Sequence, residues 1–278
     1  MLIDLFHWCS SVVCSQFVLD LFPVCKVTPS RALGNQLKTE SDVDICVFCD
    51  ETFFFDLPEG IQAAKFDIST PATYAYSQYK NDVGTALTDY FGKNGVTRGK
   101  KAFDIHENTY RVDADAVPCF EYRYYWKDST YREGTAFDPD QGTRIKNYPG
   151  QNYANGVQKN TETGGRFKDL VRILKRLKYK MEDDDIAAAS PAPSFLIECL
   201  VWNVPNEGFG HDTYTADVCW VLAHLFNNTR EFEQCKEWGE LNECKYLFRS
   251  SRPWTLTEAH AFTSVAWTMS GLNSSCET

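Results

Sequence analysis

Apolar and polar positions alternate most sharply over residues 42–48, where Val43, Ile45 and Val47 interleave with Asp42, Asp44 and Cys46. A period of two predicts a strand with unlike faces, one for the core and one bearing carboxylates and a thiol. The stretch "PATYAYSQYKNDVGTALTDYF" (71–91) spaces Tyr76, Tyr79, Val83, Leu87 and Tyr90 at helical intervals and stops at Gly92. Strand-like pieces follow at 101–106, 109–126, 134–138 and 142–149, each bounded by turn residues. From about Asn152 the pattern changes. "GGRFKDLVRILKRLKYKM" sets Leu170, Ile173, Leu174 and Leu177 on one helical stripe, and "SFLIECLVWNVP", "TADVCWVLAHLFNN" and "TLTEAHAFTSVAWTMSGL" read as further helices. Between them, "EDDDIAAASPAPS" is expected to be a polar, proline-broken link outside the core. A strand-rich first half followed by a helical second half, with no internal repeat, is an α+β pattern.

Composition changes this picture little. The 278 residues carry a formal charge of −10, and a pI near 5.0 argues against a general binder of long nucleic acid, which needs a positive field. The 11 cysteines are scattered. Cys46 and Cys49 form one C-x-x-C without a second pair at zinc-site spacing, so the set reads mostly as buried thiols of a reducing cytoplasm. The five histidines show no metal-ligand spacing. The leading "MLIDLFHWCSSVVCSQFVLDLFPVC" has no Lys or Arg, which speaks against a signal peptide, and its uncharged run between Asp4 and Asp20 is short for a membrane span. An amphipathic packing helix is expected there.

The candidate chemistry starts at Asp42 and Asp44. On a strand, residues i and i+2 share a face, and two adjacent carboxylates repel unless a cation lies between them. An edge strand wetting its polar face is the plain alternative. Upstream, Ser30 in "PSRALGNQLKTESDVD" opens a helix-like turn that could cradle a phosphate. Downstream, "RVDADAVPCFEY" offers Asp113 and Asp115, either of which could supply a third carboxylate. Lys168, Arg172, Lys175 and Arg176 lie on one helical face, which would ordinarily be a solvated one.

In this order the motifs resemble the polymerase-β-like nucleotidyltransferase superfamily. With "GTRIKNYPGQNYANGVQKNTETGGRFKDLVRILKRLKY" and "PAPSFLIECLVWNVP", they look like the bacterial CD-NTase family, the synthases of cyclic oligonucleotide messengers in anti-phage (CBASS-type) signalling. The resemblance covers about Pro29 to the C-terminus. It implies a polymerase-β-like nucleotidyltransferase core, a mixed sheet flanked by helices, with a C-terminal helical lobe. The implied division is an atypical segment 1–28, a catalytic lobe 29–150 and a nucleotide-binding lobe 151–278, with nucleotides held in the cleft between the lobes.

The same resemblance implies that Asp42, Asp44 and Asp115 are the catalytic and metal-binding residues. Asp115 is chosen over Asp113 for its context, Ala114-Asp115-Ala116-Val117-Pro118. Two Mg²⁺ or Mn²⁺ ions, nucleoside triphosphates (ATP, GTP or others) as substrates, and a cytoplasmic site away from membranes are implied with it. Ser30, Lys168 and Ser194 fall at the family's phosphate contacts, and Phe195 at a position that often stacks on a base. Their plain readings are a solvated lysine, a helix-capping serine and a core phenylalanine. A regulatory protein partner fits the same picture.

Pro29 departs from the family, which has Gly before the Ser. Proline fixes φ and has no N–H to donate, so weaker phosphate binding is expected there. The apolar segment before Ser30 also replaces the family's leading helix, as a shifted reading frame would. The rival readings are a linear nucleotidyltransferase acting on RNA or protein, and a catalytically impaired nucleotide-binding homologue.

Overall fold

The computed structural model describes residues 26–29, 43–68, 70–108, 113–249 and 252–271, with backbone alone at 26–29, 43, 44, 50 and 51. The leading apolar segment, Ser30 and Asp42 lie outside the described residues. The protein is α+β. Contacts divide it into two compact units, one running through Pro149 and the other from Gly150 onward.

The first unit is a seven-stranded mixed sheet. Its strands are β1 (Lys26–Pro29), β2 (Val43–Asp56), β3 (Val96–Arg98), β4 (Phe103–Ile105), β5 (Ala114–Tyr125), β6 (Tyr131–Phe137) and β7 (Ile145–Asn147). The order is β1-β2-β5-β4-β3, with β6 on β5 and β7 on β6. Only β2 and β5 run parallel; the other pairs are antiparallel. β5 is the axis of the sheet: β2 follows one side of it, while β4 and β6 share the other side in succession.

The expected alternation of β2 is present, with Ile45 and Val47 buried. Ala114 and Ala116 of β5 and Phe103 and Ile105 of β4 join them in one apolar cluster. Helix α1 (Tyr76–Phe91) packs onto this cluster through Tyr76, Tyr79, Val83 and Leu87. Tyr90, expected on the same stripe, is instead exposed, and the neighbouring Phe91 packs against the cluster in its place. Tyr79 donates its hydroxyl to the Val47 carbonyl at 2.8 Å, and Tyr76 to that of Pro118 at 2.9 Å. Gly84 permits the close approach: a Cβ there would lie 2.6 Å from the Phe103 ring.

The second unit is helical: α2 (Pro149–Glu162), α3 (Arg166–Asp183), α4 (Ser194–Trp202), α5 (Tyr214–Asn228), α6 (Phe232–Cys235) and α7 (Leu256–Met269). Leu170, Val171 and Leu174 of α3, Leu196, Ile197 and Leu200 of α4, Leu222 of α5 and Phe262 of α7 are fully buried in one core. The link after α3 corrects the sequence-based expectation. Ala189 and Ala192 are fully buried in that core, with Ile186 packed against it. Consecutive tight turns, Ala189 N–H to Ile186 and Ala192 N–H to Ala189, satisfy the backbone, and small side chains let the turns lie against the helices.

No helix among the described residues is long and apolar enough to cross a membrane.

Candidate active site

The pairing of β2 with β5 sets Asp44 directly beside Asp115, and the pairing of β4 with β5 sets Asp104 on the other side of Asp115. Directly paired residues share a face of a sheet. Positions 44, 115 and 104 therefore form a row across three neighbouring strands. Their sequence neighbours 45, 114, 116, 103 and 105 are buried, so the row lies on the face opposite the apolar cluster. Asp115 is half-buried and Asp104 exposed. Asp42 precedes β2 by one residue and is outside the described residues.

Sequence reasoning missed Asp104. The signal was the buried-exposed-buried pattern of Phe103-Asp104-Ile105, which becomes informative only once β4 is known to pair with β5 at Asp115. Asp113 lies just before β5 and accepts the Glu107 backbone N–H at 2.5 Å, closing the connection from β4.

Among the described residues alone, no group of three His, Cys, Asp or Glu side chains could hold a metal ion. A metal centre here would need Asp42 and Asp44 together with Asp115. Positions 44 and 115, on neighbouring strands, offer carboxylate oxygen, the donor type that suits a hard divalent cation.

The thiols of the sheet do not form a second centre. Cys46 and Cys119 form no disulfide, and a hydrogen bond with Cys46, then burial, pushes the Cys119 thiol well up, keeping it protonated. Cys199 and Cys235 form no disulfide either.

In the helical unit, Lys168 lies in the first turn of α3. Gly164 and Gly165, both at positive φ, turn the chain from α2 into α3. Thr163 Oγ1 then accepts the Phe167 N–H and Asn160 Oδ1 accepts the Lys168 N–H, each at 3.0 Å. These backbone donors are already satisfied, so an anion at this helix end would meet the Lys168 ammonium rather than an amide cradle.

The preceding Arg166 is 3.1 Å from the fully buried Asp217 and stacks over the Tyr214 ring at 3.9 Å. Asp217 also accepts the His211 backbone N–H at 2.8 Å and lies 2.7 Å from His211 Nδ1. The Tyr214 hydroxyl donates to Asp169, which holds it well protonated. These contacts fix the start of α3 against α5.

The expected basic stripe is broken. Arg176 is exposed and Arg172 pairs with Asp169 at 3.0 Å, but Lys175 is buried and pairs with Glu198 of α4. The reason is that α4 packs on this part of α3 and covers most of the Lys175 side chain.

Ser194 is the first helical residue of α4, with Pro193 at the cap position, so it is not the helix cap. Proline there has the extended backbone of a cap residue, φ −63° and ψ 154°. Phe195 packs against the helical core, its ring 6.2 Å from that of Trp254.

Residues 154–271 match the family model of the cGAS/DncV-like nucleotidyltransferase C-terminal helical domain. The cyclic dipyrimidine nucleotide synthase CdnE of Cecembia lonarensis is 43% identical over 86% of this chain and 81% of its own length. The chain belongs to the bacterial cGAS/DncV-like nucleotidyltransferases, the CD-NTases. A second CD-NTase, the cyclic dipyrimidine nucleotide synthase CdnE of Legionella pneumophila, is 40% identical over 93% of this chain and 86% of its own. The solved CdnE c-UMP-AMP synthase of Rhodothermus marinus, with Apcpp and Upnpp, superposes with a TM-score of 0.80 at 28% identity, covering 93% of this chain and 89% of that one. As a CD-NTase the chain is an enzyme of the nucleotidyltransferase class, and its sheet and helical unit are those of that fold.

Proposed function

We propose that this CD-NTase makes a cyclic dinucleotide messenger from nucleoside triphosphates, with at least one pyrimidine nucleotide among its substrates. The carrying observation is the register that sets position 44 beside Asp115 on the polar face of the sheet. The names of the relatives from Cecembia lonarensis and Legionella pneumophila support the pyrimidine preference.

Asp42, Asp44 and Asp115 would hold two Mg²⁺ or Mn²⁺ ions, which when bound lower the pKa of a ribose hydroxyl and neutralise charge on the leaving pyrophosphate. Asp115 takes the proton of the attacking hydroxyl. The new bond joins that oxygen to the α-phosphorus of a triphosphate, and the bond from the α-phosphorus to pyrophosphate breaks. Lys168 and Ser194, with Ser30, bind phosphate oxygens, and Phe195 offers ring surface to a base. A second round on the linear intermediate closes the ring. The setting we assign is cytoplasmic anti-phage signalling.

Incubating the protein with triphosphate mixtures and Mg²⁺ or Mn²⁺ should yield a product that resists phosphatase and whose mass is that of a cyclic dinucleotide. Asp42→Ala with Asp44→Ala should abolish pyrophosphate release without lowering the helical content. Equal product from both proteins would refute the site, and a phosphatase-sensitive product would point to linear transfer.

Pro29 favours a second reading, a nucleotide-binding homologue with impaired turnover. It ends β1 opposite Ile45 where the family has Gly. Calorimetric triphosphate binding without pyrophosphate release would select that reading.

A further inference from the structure

The helical core contains a charge pair among apolar side chains. Lys175 of α3 and Glu198 of α4 meet at 3.0 Å, each with only 9% of its side chain exposed. Their sequence neighbours Leu174, Ile197 and Cys199, and Val171 and Val201 nearby, are fully buried core residues. Desolvating two charges offsets most of their attraction, so an apolar pair of similar volume holds such helices together as well or better. A buried pair supplies register instead: any slip or rotation of one helix against the other leaves a charge without its partner.

The register matters because of what the same two faces carry. Lys168 lies two helical turns before Lys175 on α3, and Ser194 one turn before Glu198 on α4. Each thus shares a face with its helix's member of the pair and sits in its helix's first turn. The N-terminal end of α3 is separately tied down through Asn160, Thr163 and Asp217. The Lys175–Glu198 pair is a charged tie between α3 and α4 themselves.

We infer that Glu198 is a positioning residue for triphosphate binding, acting through Lys175 to fix α3 against α4 and so to place Lys168 and Ser194. The inference rests on the reading of those two residues as phosphate contacts.

The test replaces both charges by apolar groups of similar size, Lys175→Met with Glu198→Leu, and compares thermal midpoint, KM and kcat with the wild type. The expected result is a midpoint equal to or above wild type together with a KM for triphosphate raised ~10-fold, which corresponds to about 1.4 kcal/mol of lost phosphate binding. The rise should fall on KM far more than on kcat. Glu198→Gln, which keeps the volume but removes the charge, should raise KM in the same direction. A double variant with a lowered midpoint, or with the wild-type KM, overturns the inference. Should the wild type release no pyrophosphate, the proposed function falls, and calorimetry with a non-hydrolysable triphosphate still decides this point: tenfold weaker binding by the variant supports it, and equal binding overturns it.

Discussion

Asp104 and Lys159 show how single side chains act through their surroundings. Asp104 stands beside Asp115 in the carboxylate row, and directly opposed like charges destabilise a sheet. Asp104→Asn should therefore raise the thermal midpoint of the metal-free protein by about 1–3 °C, read by calorimetry in chelator. Lys159 is buried beneath α4, donates to the Val204 carbonyl at 2.7 Å and lies against the Trp202 and Phe209 rings. Burial lowers its pKa from 10.5 to about 8. Between those values the unfolded chain binds more protons than the folded one, so this group's contribution to stability rises with pH from about 8 to 10.5. The stability of wild type minus that of Lys159→Met, from urea midpoints at pH 7.5 and 10, should increase accordingly. A flat difference would remove the assigned cause.

At the level of elements, α1 depends on having no side chain at Gly84. Gly84→Ala would drive a methyl into the Phe103 ring and should cost about 1–3 kcal/mol in urea unfolding. Phe103→Leu in the same chain should recover part of that loss.

The elements readable from the sequence were those whose burial follows their own period. β2, α1, α3, α5 and α7 each carry a stripe or alternation that matches their buried side, and α4 is a short apolar run buried all round. α2 did not announce itself. "PGQNYANGVQKNTE" is rich in Gly and Asn, and only Gly156 and Lys159 are buried, so its helix owes little to hydrophobic spacing. β1 and β3 are short strands that depend on their partners, and the buried Ala189 and Ala192 hid behind a loop-like composition. For the site, the i, i+2 spacing of Asp42 and Asp44 was legible locally. The neighbours of Asp115 required the strand register, and the burial of Lys175 required the packing of α4.

For the whole molecule, charge sets a further expectation. A formal net charge of −10 opposes the binding of long duplexes, which rests on displacing counterions with positive charge. A labelled 30-base-pair DNA should show no anisotropy change with micromolar protein at 0.15 M salt. Saturable binding there would favour the linear-transferase reading.

The parallel alignment of β2 with β5 also has a consequence for biogenesis. A strand beginning at Val43 waits for one ending at Tyr125, and the antiparallel β3 and β4 must be laid down between them. Such distant pairing closes late and slowly. On the ribosome, the acidic row of the sheet therefore assembles only after the start of β5, through Ala116, has left the exit tunnel. A nascent fragment that ends before β5 carries positions 44 and 104 on strands that nothing yet joins.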